Sequence, residues 1–200
     1  MKIRRIDLFS GPAMVATLAL SFPNAAQACA CCSEIGQRIE QTDSIERGEL
    51  EQVRFAPGAR LFADAGFPDS VEGIGDPSDQ DYRLAVNGSP KKLVFDFTDA
   101  NGKTGRIVFL LPKRFTRFEV DPREAVTAAA GHGPVLYKEW RYQGLARLSG
   151  VLAERGVWAH ARLILHGRGN SCTSAIDFDT WTLAVTGKAI RFKFLGATVR

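Results

Sequence analysis

A chain of 200 residues with 45% hydrophobic and 24% charged residues is long enough for one domain with a real core, and this composition excludes a disordered or fibrous protein. Half of its formal net charge of +4 comes from the first 28 residues, which carry three cations and one anion. The remainder is left at +2, too little to argue for nucleic acid or an anionic membrane as a partner.

Those 28 residues read as a signal peptide. Lys2, Arg4 and Arg5 form its basic start, Ala13 to Phe22 its apolar run, and Ala26-Gln27-Ala28 the small-x-small cleavage pattern. The apolar run is too short to cross a bilayer comfortably. The expected destination is the periplasm or the extracellular space. Arg4-Arg5 also raises twin-arginine export, but Asp7 stands where that signal wants an apolar residue. Residues 29–52 then form a cysteine-bearing segment and 53–200 a single β-rich domain.

In the segment after the cysteines, Ile35, Ile39 and Ile45 make a loose helical stripe, which predicts short helical turns over Ser33 to Gln41 and Ser44 to Gln52. VRFAPGARLFAD reads as a strand interrupted at Pro57-Gly58, and the Gly-, Pro- and Asp-rich stretch 65–81 as a long loop. Tyr82 to Val86 is a strand ending at an Asn87-Gly88 hairpin turn. Lys92 to Thr98 follows, with Leu93, Phe95 and Phe97 on one face, and Asp99 to Gly102 turns the chain. GRIVFLL at 105–111 is continuously apolar and predicts a strand covered on both sides. Arg114 to Val120 is another strand, and 124–131 a helical turn within a loop.

The clearest pattern lies at 138–152, where Trp140, Tyr142, Ala146, Leu148, Gly150 and Leu152 share one parity and charged residues the other. Trp158 to Leu165, Asp177 to Val185 and Ala189 to Leu195 complete a meander with a turn at Thr186-Gly187. Nine or ten strands with short links predict an all-β fold, mainly antiparallel, either a sandwich or a barrel-like meander.

Chemistry concentrates in the thiols Cys29, Cys31, Cys32 and Cys172. Adjacent Cys31 and Cys32 have Cα atoms ~3.8 Å apart, below the usual disulfide range, so the cluster does not satisfy itself with simple bridges. Three roles are open to it. One is a disulfide staple to Cys172, in an oxidising compartment. Another is lipidation of Cys29, although Ala26 and Gln27 are atypical for a lipoprotein signal, and only then would a membrane be a partner. The third is a soft-metal site, because thiolates select Cu(I), Zn or iron–sulfur clusters, and closely spaced thiols suit Cu(I) better than tetrahedral zinc. His132, in Gly131-His132-Gly133, is the candidate additional ligand. His160 and His166 share a strand face about 20 Å apart and read as solvated. Trp140, Tyr142, Trp158 and Trp181 could line a barrel mouth, but core packing is the preferred reading.

Hydrolase and nucleotide signatures are missing from the sequence. Asp177 and Asp179, about 7 Å apart on one predicted strand face, are the single enzymatic suggestion, as a glycosidase-like acid pair. The acidic stretch 64–81 lacks an ordered calcium-loop spacing, and DFTDANGKTGRI lacks the closing Glu.

ACACCSE, LYKEWR and GRGNSCTSAIDFDTW together resemble a set of uncharacterised exported bacterial proteins, over most of the chain beyond the leader. No activity and no site residue comes with that resemblance. The C-x-C-C triplet alone resembles copper-handling periplasmic proteins, whose thioredoxin-like folds differ from the β-rich pattern here. The sequence therefore points to an exported protein that binds a soft metal ion, Cu(I) before zinc, through Cys29, Cys31 and Cys32, with Cys172 and His132 as further ligands. The implied partner is a metal ion or a metal-transfer protein, and the alternative is a disulfide-stapled ligand-binding or envelope-structural module without metal.

Overall fold

The alternating apolar residues of the sequence become strands whose inward side chains meet inside one closed barrel. A computed structural model describes residues 34–45, 47–62, 81–123, 135–152, 156–170 and 175–199. In chain order the elements are β1 (Arg38–Ser44), α1 (Arg47–Leu50), β2 (Arg54–Phe55), β3 (Gly58–Phe62), β4 (Asp81–Ser89), β5 (Lys92–Thr98), β6 (Thr104–Leu110), β7 (Arg114–Val120), β8 (Leu136–Gly150), β9 (Val157–Gly169), β10 (Phe178–Gly187) and β11 (Ile190–Val199). A 3-10 turn, Ala175–Asp177, leads into β10.

Eight antiparallel strands close the barrel in the order β3-β4-β5-β6-β8-β9-β10-β11 and back to β3. Closure removes the free edges of those strands. The inside is packed rather than hollow: Phe95, Phe97, Ile107, Phe109, Leu148, Leu163, Trp181 and Phe194 are all fully buried. Phe97 stacks on Phe194 with ring centroids 4.1 Å apart.

β8 is long because it serves two partners along one edge. Ala146–Gly150 pairs with β6, and Tyr137–Arg141 pairs with β7. The other edge pairs with β9 throughout. Gly144 marks the change of partner, since a Cβ there would press on the Leu110 carbonyl. β7 and β1 therefore form a flap that continues the sheet beyond one end of the barrel. α1 and β2 lie at that same end, with Leu50 buried and Phe55 edge-on to Phe95 and Trp181.

The all-β, barrel-like expectation holds, and several local expectations need correction. Ser33 to Gln41 is not a helical turn among its described residues: from Arg38 onward it is β1. Its inward side chains, Ile39, Gln41 and Asp43, are mostly polar, so strand alternation is hidden. Asn87-Gly88 lies inside β4, in register with Val94 and Leu93, and Pro90-Lys91 makes the turn. Gly105 to Leu111 is covered on one face only, with Arg106 and Leu110 exposed. The turn between β10 and β11 is Lys188-Ala189. Trp158 is 54% exposed rather than core, whereas Trp140, Tyr142 and Trp181 are buried. The loop at 65–80 and the helical turn at 124–131 lie outside the described residues.

Candidate functional site

The flap turns an inner face towards the barrel end, and that face is charged. On β7 the inward positions are Phe115, Arg117 and Glu119, and Asp121 follows the strand. On β1 they are Gln41 and Asp43, and on β8 Lys138. The sheet register sets Glu119 directly opposite Lys138. Asp121 is fully buried and held by Arg123, whose Nη2 lies 2.7 Å from Oδ2. Hydrogen bonding from Arg123 keeps the Asp121 carboxyl below the usual range. Arg117 Nη2 stands 3.4 Å from Asp43 Oδ2, while Arg117 Nε and that same Oδ2 are buried without a hydrogen bond.

Asp177 reaches this face from the turn before β10. Lys138 Nζ donates to its Oδ2 at 2.7 Å. Two glycines of β9 make room for it: a Cβ on Gly167 would overlap the Asp177 carbonyl, and one on Gly169 would overlap its carboxylate. The residues of LYKEWR and GRGNSCTSAIDFDTW thus meet in space, Lys138 from the first and Gly167, Gly169 and Asp177 from the second. Asp177 precedes the strand and is buried, while Asp179 is part-exposed at an irregularity of β10, so the expected acid pair on one strand face is not formed.

A second cluster lies on the outer face of β8, β9 and β10. His166 accepts or donates at both ring nitrogens, with Tyr137 Oη 3.2 Å from Nδ1 and Thr182 Oγ1 3.0 Å from Nε2. Glu139 receives hydrogen bonds from Tyr137 Oη and Arg141 Nε, both at 2.5 Å. Arg141 also lies over the Phe118 ring, 4.7 Å from its centroid. Burial pushes the His166 imidazole below its ordinary value, against the pull of Glu139. Burial and the Glu139 hydrogen bond push the Tyr137 phenol up to about 12. Burial would raise Glu139, but the hydrogen bonds from Tyr137 and Arg141 outweigh it and leave this carboxyl below its usual range. His166 is therefore a half-buried network residue, not the solvated one expected from strand parity. His160 is exposed as expected.

The barrel end also holds a cavity of about 630 Å³. Leu50, Val53, Phe55, Val86, Leu93 and Leu111 are among its walls, with Arg54 and Glu51 at its side. Arg54 makes no ion pair among the described residues.

Cys29, Cys31, Cys32, Cys172 and His132 lie outside the described residues. Among the described residues, no group of three or more His, Cys, Asp or Glu side chains is placed to hold a metal ion. Sequence reasoning missed Lys138, Glu119 and the Gly167/Gly169 cradle. The available signal was a Lys at an inward position of an otherwise apolar strand face, between Leu136 and Trp140. Comparison with family models, curated proteins and solved structures finds no match, so no activity is carried to this chain from a relative.

Proposed function

We propose that the protein binds a soft metal ion, Cu(I), through Cys29, Cys31 and Cys32, with Cys172 as a fourth ligand or a disulfide partner and His132 as a further donor. One observation supports this reading: the described residues that flank these positions leave from the same end of four adjacent strands. Gly36 N donates to the Asp121 carbonyl, Val120 pairs with Tyr137, and Leu136 pairs with Gly169. Glu34, Arg123, Val135 and Asn170 therefore stand along one rim. Three strand steps of ~4.8 Å span about 14 Å, a distance that two or three residues of chain from each side bridge. A thiolate cluster there would favour Cu(I), because soft ligands match a soft ion.

The test is competition for Cu(I) against a chromophoric chelator, with the thiols reduced. Wild type is expected to withdraw copper stoichiometrically, and Cys31→Ser/Cys32→Ser to withdraw none. Equal withdrawal by the double variant overturns the reading.

The cavity favours a second reading, a carrier for a small apolar molecule with an anionic group. Apolar walls would take the body of such a ligand and Arg54 its charge. This reading expects the double cysteine variant to bind an anionic apolar dye as wild type does, and Arg54→Gln to weaken it.

A further inference from the structure

Two opposite charges removed from water are expensive to bury, and a pair in that position stabilises a fold only when its geometry is tight. Lys138 is 3% and Asp177 8% exposed. Their charged groups are in contact, Nζ to Oδ2 at 2.7 Å. The contact is built from both sides. Gly167 and Gly169 leave out the side chains that would block Asp177, letting it lie over β9 and reach β8. Leu136 and Trp140, the inward neighbours of Lys138, are buried, and Trp140 packs edge-on against Phe178 with centroids 4.7 Å apart. The pair thus sits on an apolar floor.

A third group completes the set. Glu119 faces Lys138 across the β7–β8 ladder, is 5% exposed, and makes no hydrogen bond with a described residue. Burial chiefly, and the charge of Asp177, push its affinity for a proton up, against Lys138 and Arg117. An amine, a carboxyl in contact with it, and a second carboxyl able to carry a proton are the groups that amide formation requires.

We propose that Lys138 and Asp177 become joined by an intramolecular amide between Nζ and Cγ, a covalent crosslink between β8 and the turn entering β10, with Glu119 as its proton carrier. Within the ion pair the Lys138 ammonium passes a proton to the Asp177 carboxylate. The nitrogen lone pair then attacks Cγ, and the Glu119 carboxyl donates to the oxygen on which charge develops. Glu119 takes a proton from the nitrogen and delivers it to the departing hydroxyl. The C–O bond breaks and one water leaves, the remaining hydroxyl returns its proton to Glu119 as the amide carbonyl forms, and Glu119 ends as it began. One ammonium and one carboxylate give one secondary amide and one water, and nothing is oxidised or reduced.

Two effects drive a condensation that is unfavourable between free groups in water. Holding the reactants in contact replaces a bimolecular encounter by a unimolecular step. The product is a neutral amide, so the burial penalty of two ions disappears when they combine.

The test is mass spectrometry of the protein after reduction and alkylation, so that disulfides do not affect the mass. The expected mass is one water below that of the sequence from its determined N-terminal residue. Tryptic digestion is expected to leave the bond after Lys138 uncut and to yield a branched peptide containing both Lys138 and Asp177. Glu119→Gln, close in shape to the parent, is expected to keep the wild-type circular dichroism spectrum and to show the full sequence mass. Full mass in wild type with cleavage after Lys138 overturns the proposal. A water loss that persists in Lys138→Arg overturns it as well, and a crosslink retained in Glu119→Gln overturns the role of Glu119.

Discussion

His166 shows how a single side chain departs from what its position in sequence suggests. Its ring is closed in by Tyr137 on one neighbouring strand and Thr182 on the other, and it sits opposite Glu139 in the β8–β9 register. Because burial lowers its folded proton affinity, the unfolded chain takes up a proton below about pH 6.5 that the folded chain refuses. Stability is therefore expected to be complete above that pH and to fall as the pH drops from there through the lower folded value. His166→Gln should flatten this part of the profile, read as the urea midpoint at a series of pH values. Parity correctly put His166 on the outer face. The cross-strand neighbours that bury it were not legible, because they depend on which strands pair and in which register.

At the scale of elements, the strongest legibility was in β8, where period two over the whole strand predicted a half-buried strand and the structure has one. Lys138 breaks the apolar parity of that strand, and only the turn bearing Asp177 explains it. β1 was illegible for the opposite reason: its inner face meets Arg117 and Glu119, so it carries Gln41 and Asp43 where a core strand would carry Val or Ile. The glycines of GRGN end β9 and vacate space for Asp177. Gly169→Ala is accordingly expected to cost about 1–3 kcal/mol through overpacking, measured by denaturant unfolding. It should also prevent the water loss, since a methyl group there displaces the reacting carboxylate. The amide closes a loop of about 40 residues, for which chain entropy gives about 4 kcal/mol, so Glu119→Gln should unfold at a lower denaturant concentration than wild type.

For the whole molecule, alternation and turn spacing announced an all-β meander, but not its closure. Closure rests on β6 passing over β7 to pair with β8, on β8 changing partner at Gly144, and on β3 pairing with β11. None of these has a local signature. The last has a consequence for how the chain is made. Arg60 meets Leu195, about 135 residues later, so a chain growing from its N-terminus holds β3 without that partner until β11 exists. The seam should zip last and set a slow rate, in the millisecond-to-second range of proteins dominated by distant pairings. Until then the edges of β3 and β10 stand open as templates for other nascent chains. Deleting β11, ten residues in all, should therefore send the product into the insoluble fraction rather than merely weaken it. Deleting β1, at the outer margin of the flap, should leave the seam intact and the product soluble. The strand that closes the seam decides whether this chain becomes a barrel or an aggregate.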